Sequence, residues 1–207
     1  MDTRAIKLAG IYNQLENCRE CDFAHSRSNV VMGEGSIAPK LIMVGEAPGR
    51  QEDESGSPFV GAAGDVLNKA IHDAGYLRSN MYITNTIKCR PPQNRDPKAK
   101  EIQRCVQHLK KELKIFDGTN ILLLGKTALS LVDKWSSIGE SRGIAHRVTM
   151  FDPKENIPTR SLRDLPENAK MYEFTAYVTY HPAYVLRAGQ SAYEKLVKDI
   201  LHAVITK

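Results

Sequence analysis

Four short apolar runs constrain this chain more than anything else in it. They are Leu41-Ile42-Met43-Val44, Tyr82-Ile83-Thr84-Asn85-Thr86, Ile121-Leu122-Leu123-Leu124-Gly125 and Tyr177-Val178-Thr179-Tyr180. Each is too short for a buried helix and is bounded by turn residues, so each reads as a strand covered on both faces. Segments of helical apolar spacing separate them. Gly64 to Ala74 turns Val66, Leu67, Ala70 and Ile71 inward, and the stretch from Pro97 to Leu113 does the same with Ile102, Cys105, Val106, Leu109 and Leu113. Thr127 to Trp135 and Tyr193 to Val204 are expected helices, as is the segment from Asp2 to about Leu15. Strands alternating with helices predict an α/β fold, a single domain over residues 1–207. Three layers, α/β/α, would enclose a central four-stranded parallel sheet. The polar stretch from Ser136 to Lys170 fits neither period and is expected to be an insertion or hairpin around residues 144–171.

Composition narrows the function classes. No stretch approaches the roughly 18 consecutive apolar residues that a membrane helix needs, and Met1-Asp2-Thr3-Arg4-Ala5 lacks the apolar core of a signal peptide. A cytoplasmic, nucleoid-associated protein with no membrane contact is expected. The formal charge of +5 leans weakly toward a polyanionic partner. In a reducing compartment the four cysteines read as metal or cluster ligands rather than disulfides. Cys18 and Cys21 form a C-x-x-C pair, followed by Cys89 and Cys105. Alone, Cys105 would pass for a core thiol; together with the pair, and with no cysteine to spare, the four read as one site. A thiolate tetrad suits zinc and an iron–sulfur cluster equally.

Three further features fall at the carboxyl ends of the expected strands, where open parallel sheets place their ligands. They are Gly45-Glu46-Ala47-Pro48-Gly49, the pair Thr84-Asn85, and His181-Pro182-Ala183. Each has a bland reading as a loop carboxylate, a turn amide or a satisfied imidazole. Convergence on one sheet edge makes a concave site with an acid, an amide and an imidazole.

The ordered motifs extend further. Val31-Met32-Gly33-Glu34-Gly35-Ser36, Val44-Gly45-Glu46-Ala47-Pro48-Gly49, Glu52-Asp53 and Gly56-x-Pro58-Phe59-Val60-Gly61-x-Ala63-Gly64 occupy the first third. Thr84-Asn85-x-x-Lys88-Cys89-Arg90-Pro91-Pro92, Leu124-Gly125-Lys126, Ser141-Arg142-Gly143 and His181-Pro182-Ala183-Tyr184-x-Leu186-Arg187 follow. Together they resemble the family 4 uracil-DNA glycosylases over nearly the whole chain. The resemblance implies a monofunctional enzyme of base excision repair that hydrolyses the N-glycosidic bond of uracil in single- or double-stranded DNA. It implies a [4Fe–4S] cluster on Cys18, Cys21, Cys89 and Cys105; a monomer is the expected state. Gly45, Glu46, Ala47, Glu52, Phe59, Asn85 and His181 would bind uracil, with Glu46, Asn85 and His181 catalytic. Phe59 would stack on the flipped base, Asn85 read its Watson–Crick edge, and His181 donate to O2 as the base leaves. Glu46 would place the attacking water. Glu52 is either a shaper of the side that meets a thymine methyl or a structural loop partner.

Tyr184, Leu186 and Arg187 resemble the family's minor-groove wedge and its phosphate contact, in an expected loop. Leu186 also admits a core reading, while Lys195 and Lys198 read as a solvated helix face. Arg147, Lys154, Arg160 and Arg163 in the insertion read either as contacts to DNA or a partner or as a mere surface excursion. Two rival classes remain at this level: a non-catalytic DNA-binding module on the same fold, and a four-cysteine zinc protein.

Overall fold

The computed structural model describes residues 2–133, 135–151 and 171–206. The chain opens with α1 (Thr3–Glu16), then β1 (Glu34–Gly35), β2 (Leu41–Gly45), α2 (Arg50–Ser55), α3 (Ala62–Asp73) and β3 (Met81–Asn85). The second half runs α4 (Ala99–Leu113), β4 (Ile121–Leu124), α5 (Lys126–Leu129), α6 (Ile138–Ser141), β5 (His146–Phe151), β6 (Met171–Thr179), α7 (Pro182–Ala188) and α8 (Gln190–Ile205). No helix among the described residues is long and apolar enough to cross a membrane.

The strands form one six-stranded sheet in the order β1-β3-β2-β4-β6-β5. β3, β2, β4 and β6 pair in parallel, while β1 and β5 add antiparallel edges. The sheet is therefore wider than the four strands expected. β1 is two residues long, too short to show a pattern, and β5 is a partly polar edge strand inside the polar stretch. β6 also begins at Met171, six residues ahead of the expected start at Tyr177, because its first half pairs with β5. The expected insertion is thus partly a hairpin arm; Lys154, Arg160 and Arg163 lie outside the described residues.

Successive side chains of a strand point to opposite faces, and the core divides accordingly. Leu41, Met43, Met81, Ile83, Leu122 and Leu124 face α3, α7 and α8, meeting Leu67, Ile71, Val185, Leu196 and Ile200. Ile42, Val44, Tyr82, Ile121, Leu123 and Val178 face the other way, toward Leu8 of α1 and Leu109 and Leu113 of α4. Burying each such side chain contributes about 1.5–3 kcal/mol. Helical segments near the crevice differ from expectation. The helix expected from Thr127 to Trp135 stops at Leu129. Asp133 then accepts from the Trp135 and Ser136 amides, folding the chain into a turn. α7 occupies the place of the expected loop after His181, because Pro182 suits a first helical position and His181 caps it.

Connections leave β2 toward β3 on one side and return to β4 on the other. That reversal opens a crevice at the carboxyl ends of β2 and β4. Beside it, a buried ion pair joins β3's continuation to α4. Lys88 Nζ donates to Glu112 Oε2 at 2.7 Å and to Thr84 Oγ1 at 2.5 Å, and both charged side chains are 0% exposed.

Candidate active site

A cavity of about 230 Å³ opens at the crevice, lined by Glu46, Ala47, Glu52, Phe59, Asn85 and His181 together with Pro48, Gly49, Ala63, Pro91, Asn94, Arg95 and Ala183. Four strand ends converge there. Glu46 follows β2, Asn85 ends β3 and His181 follows β6. From beyond β4, the Thr127 hydroxyl donates to Glu46 Oε2 at 2.5 Å, bridging the switch point. Thr127 is a partner of Glu46 that sequence reasoning missed. Its one available signal is a hydroxyl just beyond Leu124-Gly125-Lys126, at the same sheet edge.

Asn85 is 2% exposed, and its Oδ1 is buried with no hydrogen-bond partner among the described residues. A buried polar atom without a partner is costly, so its location in a cavity wall points to a ligand donor. Gly45 explains how the amide fits. A Cβ there would lie 2.4 Å from Asn85 Oδ1 and 2.5 Å from Phe59 Cζ, so only glycine lets both side chains reach the cavity. Phe59 has φ 54°, in the left-handed region, where a bulky residue must be held by its surroundings. Arg78 does the holding: its guanidinium donates to the carbonyls of Pro58 at 2.6 Å and Phe59 at 3.3 Å. It also reaches Glu34 and Asn68, both at 2.8 Å.

His181 Nδ1 accepts the Ala183 amide hydrogen at 3.1 Å. The proton of the neutral ring must therefore sit on Nε2, making that nitrogen a donor. Burial first, then the nearby Arg187 charge, lowers the His181 pKa from 6.5 to about 4, against a smaller raising effect of Glu52. The unfolded chain takes up a proton near 6.5 that folded His181 refuses. Its contribution to stability is therefore full above pH 6.5 and falls as pH drops toward 4. We expect kcat/KM for the reaction of this site to show no His181 inflection near 6.5, the acid limb from this group lying near pH 4. A pH–rate profile with an imidazole inflection at 6–7 that His181→Asn abolishes would contradict this.

Glu52 sits at the cavity wall but is bound to the backbone. Its carboxylate accepts from the amides of Gly49 at 3.1 Å, Val60 at 3.1 Å and Gly61 at 3.0 Å. It thereby ties the loop after β2 to the Phe59 turn. Asp53 has a parallel task, accepting from the Ser28 amide at 3.0 Å.

The four cysteines line a second, smaller cavity with Leu15, Arg27 and His108. The segment after α1 brings Cys18 and Cys21, the end of the β3 extension brings Cys89, and α4 brings Cys105. Arg27 Nη1 donates to Cys89 Sγ at 3.1 Å and the Lys88 amide to Cys105 Sγ at 3.3 Å, an environment that favours thiolate. Burial opposes it, raising the Cys21 and Cys89 thiols and pushing Cys105 to about 12. Tetrahedral zinc with 2.3 Å bonds would hold sulfurs about 3.8 Å apart. Among the described residues, the one trio of donor atoms within 4.8 Å of each other is Cys18, Glu20 and His108, so no three sulfurs are gathered that closely.

Residues 32–204 match the family model of the uracil DNA glycosylase superfamily. The chain belongs to that superfamily. A type-4 uracil-DNA glycosylase of Archaeoglobus fulgidus is 34% identical over 200 residues, covering 93% of this chain and 91% of that protein. One from Thermotoga maritima is 31% identical over 199 residues, covering 96% and 93%. A third, from Pyrobaculum aerophilum, is 33% identical over 185 residues, covering 87% and 85%.

Three of the residues singled out in this glycosylase-superfamily chain lie outside the cavity lining, on α7. Tyr184 is 45% exposed and its ring lies 5.0 Å from that of Tyr180. Leu186 is 50% exposed, which overturns the core reading for it, and Arg187 is exposed beside it. Val185, between them, is the residue that enters the core. Helical spacing after the His181 cap thus leaves the flanking side chains exposed.

Proposed function

We propose that this chain is a type-4 uracil-DNA glycosylase that flips uracil from DNA and hydrolyses its N-glycosidic bond, leaving an abasic site. The observation that carries the reading is the buried, unpartnered Asn85 Oδ1 in a cavity shared with Phe59 and His181. Uracil offers N3–H as donor and O4 as acceptor, which match the Oδ1 and Nδ2 of one carboxamide. Cytosine offers the reverse pair and would leave both polar atoms opposed. Phe59 covers the base face. His181, neutral with its proton on Nε2, donates to O2 as negative charge gathers on the departing base. Glu46, fixed through Oε2 by Thr127, places its other oxygen for a water that attacks C1′ as the sugar gains oxocarbenium character.

The donor set at the second cavity suits a [4Fe–4S] cluster: four cysteines line one space, with cationic and amide donors to the sulfur atoms. Cys18, Cys21, Cys89 and Cys105 would hold it. When bound, it supplies iron–sulfur bonds that tie three chain segments together, and it takes no part in base release. We expect alkali-labile scission at uracil in single- and double-stranded oligonucleotides, iron in roughly fourfold excess over protein, and a kcat loss on the order of 100-fold in His181→Ala. Folded parent protein that leaves uracil in place would overturn the enzyme reading, and zinc in place of iron the cluster reading. The reading also takes the active species as a monomer in the cytoplasm.

A further inference from the structure

Trp135 is 93% exposed, more than any other large apolar side chain among the described residues. It is the chain's single tryptophan. Leaving an indole in water forgoes the largest apolar burial any side chain offers, so its surroundings matter. They form a built turn. Asp133 Oδ1 accepts from the Trp135 amide at 2.9 Å and the Ser136 amide at 3.1 Å, while Oδ2 accepts from the Ser136 hydroxyl at 2.5 Å. Those bonds, the Ser136 hydroxyl first, hold the Asp133 carboxyl down at about 2. The turn is also tethered to the active-site edge. Lys126 Nζ donates to the Ser136 carbonyl, and the next residue, Thr127, donates to Glu46 in the cavity. Two successive residues of α5 therefore grip the Trp135 turn and the catalytic carboxylate.

The surroundings say what an exposed indole here is for. Asp133 and Glu140, the acidic groups of the turn, are committed to capping backbone amides, and Lys126 is committed to a carbonyl. Among the described residues of the turn these three charges are engaged, while the flat apolar face of Trp135 stays open. We propose that Trp135 is a stacking platform for an unpaired base flanking the extruded uracil in single-stranded DNA. This rests on the glycosylase reading. Every base has a π-face, so the contact would be tolerant of sequence. In a duplex the flanking base keeps its own stack, so the contribution is confined to single strands.

The test uses the holoprotein and short single-stranded uracil oligonucleotides in which each flanking nucleotide is replaced in turn by a base-less tetrahydrofuran residue. Trp135→Ala is expected to raise KM on the fully based strand about tenfold, with Trp135→Phe in between. The parent should lose a similar factor when one flanking base is absent, and Trp135→Ala should be indifferent to that deletion. Emission from the single tryptophan should be quenched on titration with uracil-free oligothymidine. An active parent, with Trp135→Ala matching its KM and its response to base-less positions, would overturn the inference and leave the glycosylase reading standing. An inactive parent would sink the glycosylase reading instead; the oligothymidine titration then still decides the tryptophan, since unquenched emission at saturation overturns its role.

Discussion

Asn85→Ala is expected to lower kcat/KM for uracil excision by on the order of 10³- to 10⁴-fold without unfolding the protein. The magnitude follows from what the carboxamide is asked to do. Two hydrogen bonds in a buried site each contribute about 1–3 kcal/mol when their loss strands the partner groups, and sites built around such pairs discriminate by roughly 10⁴-fold. The fold should survive because Oδ1 gives up no protein partner in the change. Asn85 ends β3, where its backbone continues to pair with Gly45. Single-turnover excision from a uracil oligonucleotide, read beside a thermal melt, checks both halves. A drop of less than tenfold in a folded variant would mean that the uracil edge is read elsewhere.

Lys88→Met is expected to destabilise the protein by about 3–5 kcal/mol, because it leaves Glu112 charged and buried without its partner. At this chain length that corresponds to a fall in Tm of roughly 6–20 °C. Replacing both residues with apolar ones, Lys88→Met with Glu112→Leu, should recover most of the loss, since neither charge is then stranded. The pair sits at a consequential place. Lys88 lies between Asn85 and Cys89 in the chain, and Glu112 is on the helix that carries Cys105. The ion pair therefore ties the end of β3 to the helix that carries Cys105. Tm measured at one scan rate for the parent, both single variants and the double variant gives the coupling directly. Equal stability of Lys88→Met and the parent would dismiss the account.

Much of the fold was readable from local pattern, because a strand buried on both faces must be apolar throughout. That requirement left Leu41 to Val44 and Ile121 to Leu124 visible. Edge strands carry no such demand, so β1 and β5 went unseen: one face or one side of each meets water and polar residues serve there. α7 was hidden for a different reason. Seven residues are too few for a helical period to declare itself, and its start depends on the His181 side chain turning back to the Ala183 amide. The expected helix through Trp135 failed because Asp133 captured the amides that would have continued it.

The candidate site divides along the same line. Residue types and their order in the chain determined by themselves that an acid, an amide and an imidazole stand at strand ends, and that four cysteines belong together. Those are properties of single positions and of sheet topology. Only the tertiary structure decided which atoms do what. Thr127 reaches Glu46 across 81 residues of chain, and Arg78 clamps the Phe59 turn from 19 residues away. Ala183 selects the histidine tautomer, and Glu52 is consumed by three amides. Hydrogen bonds are directional and act over about 3 Å, so no spacing in sequence can encode them until the sheet brings its strand ends together.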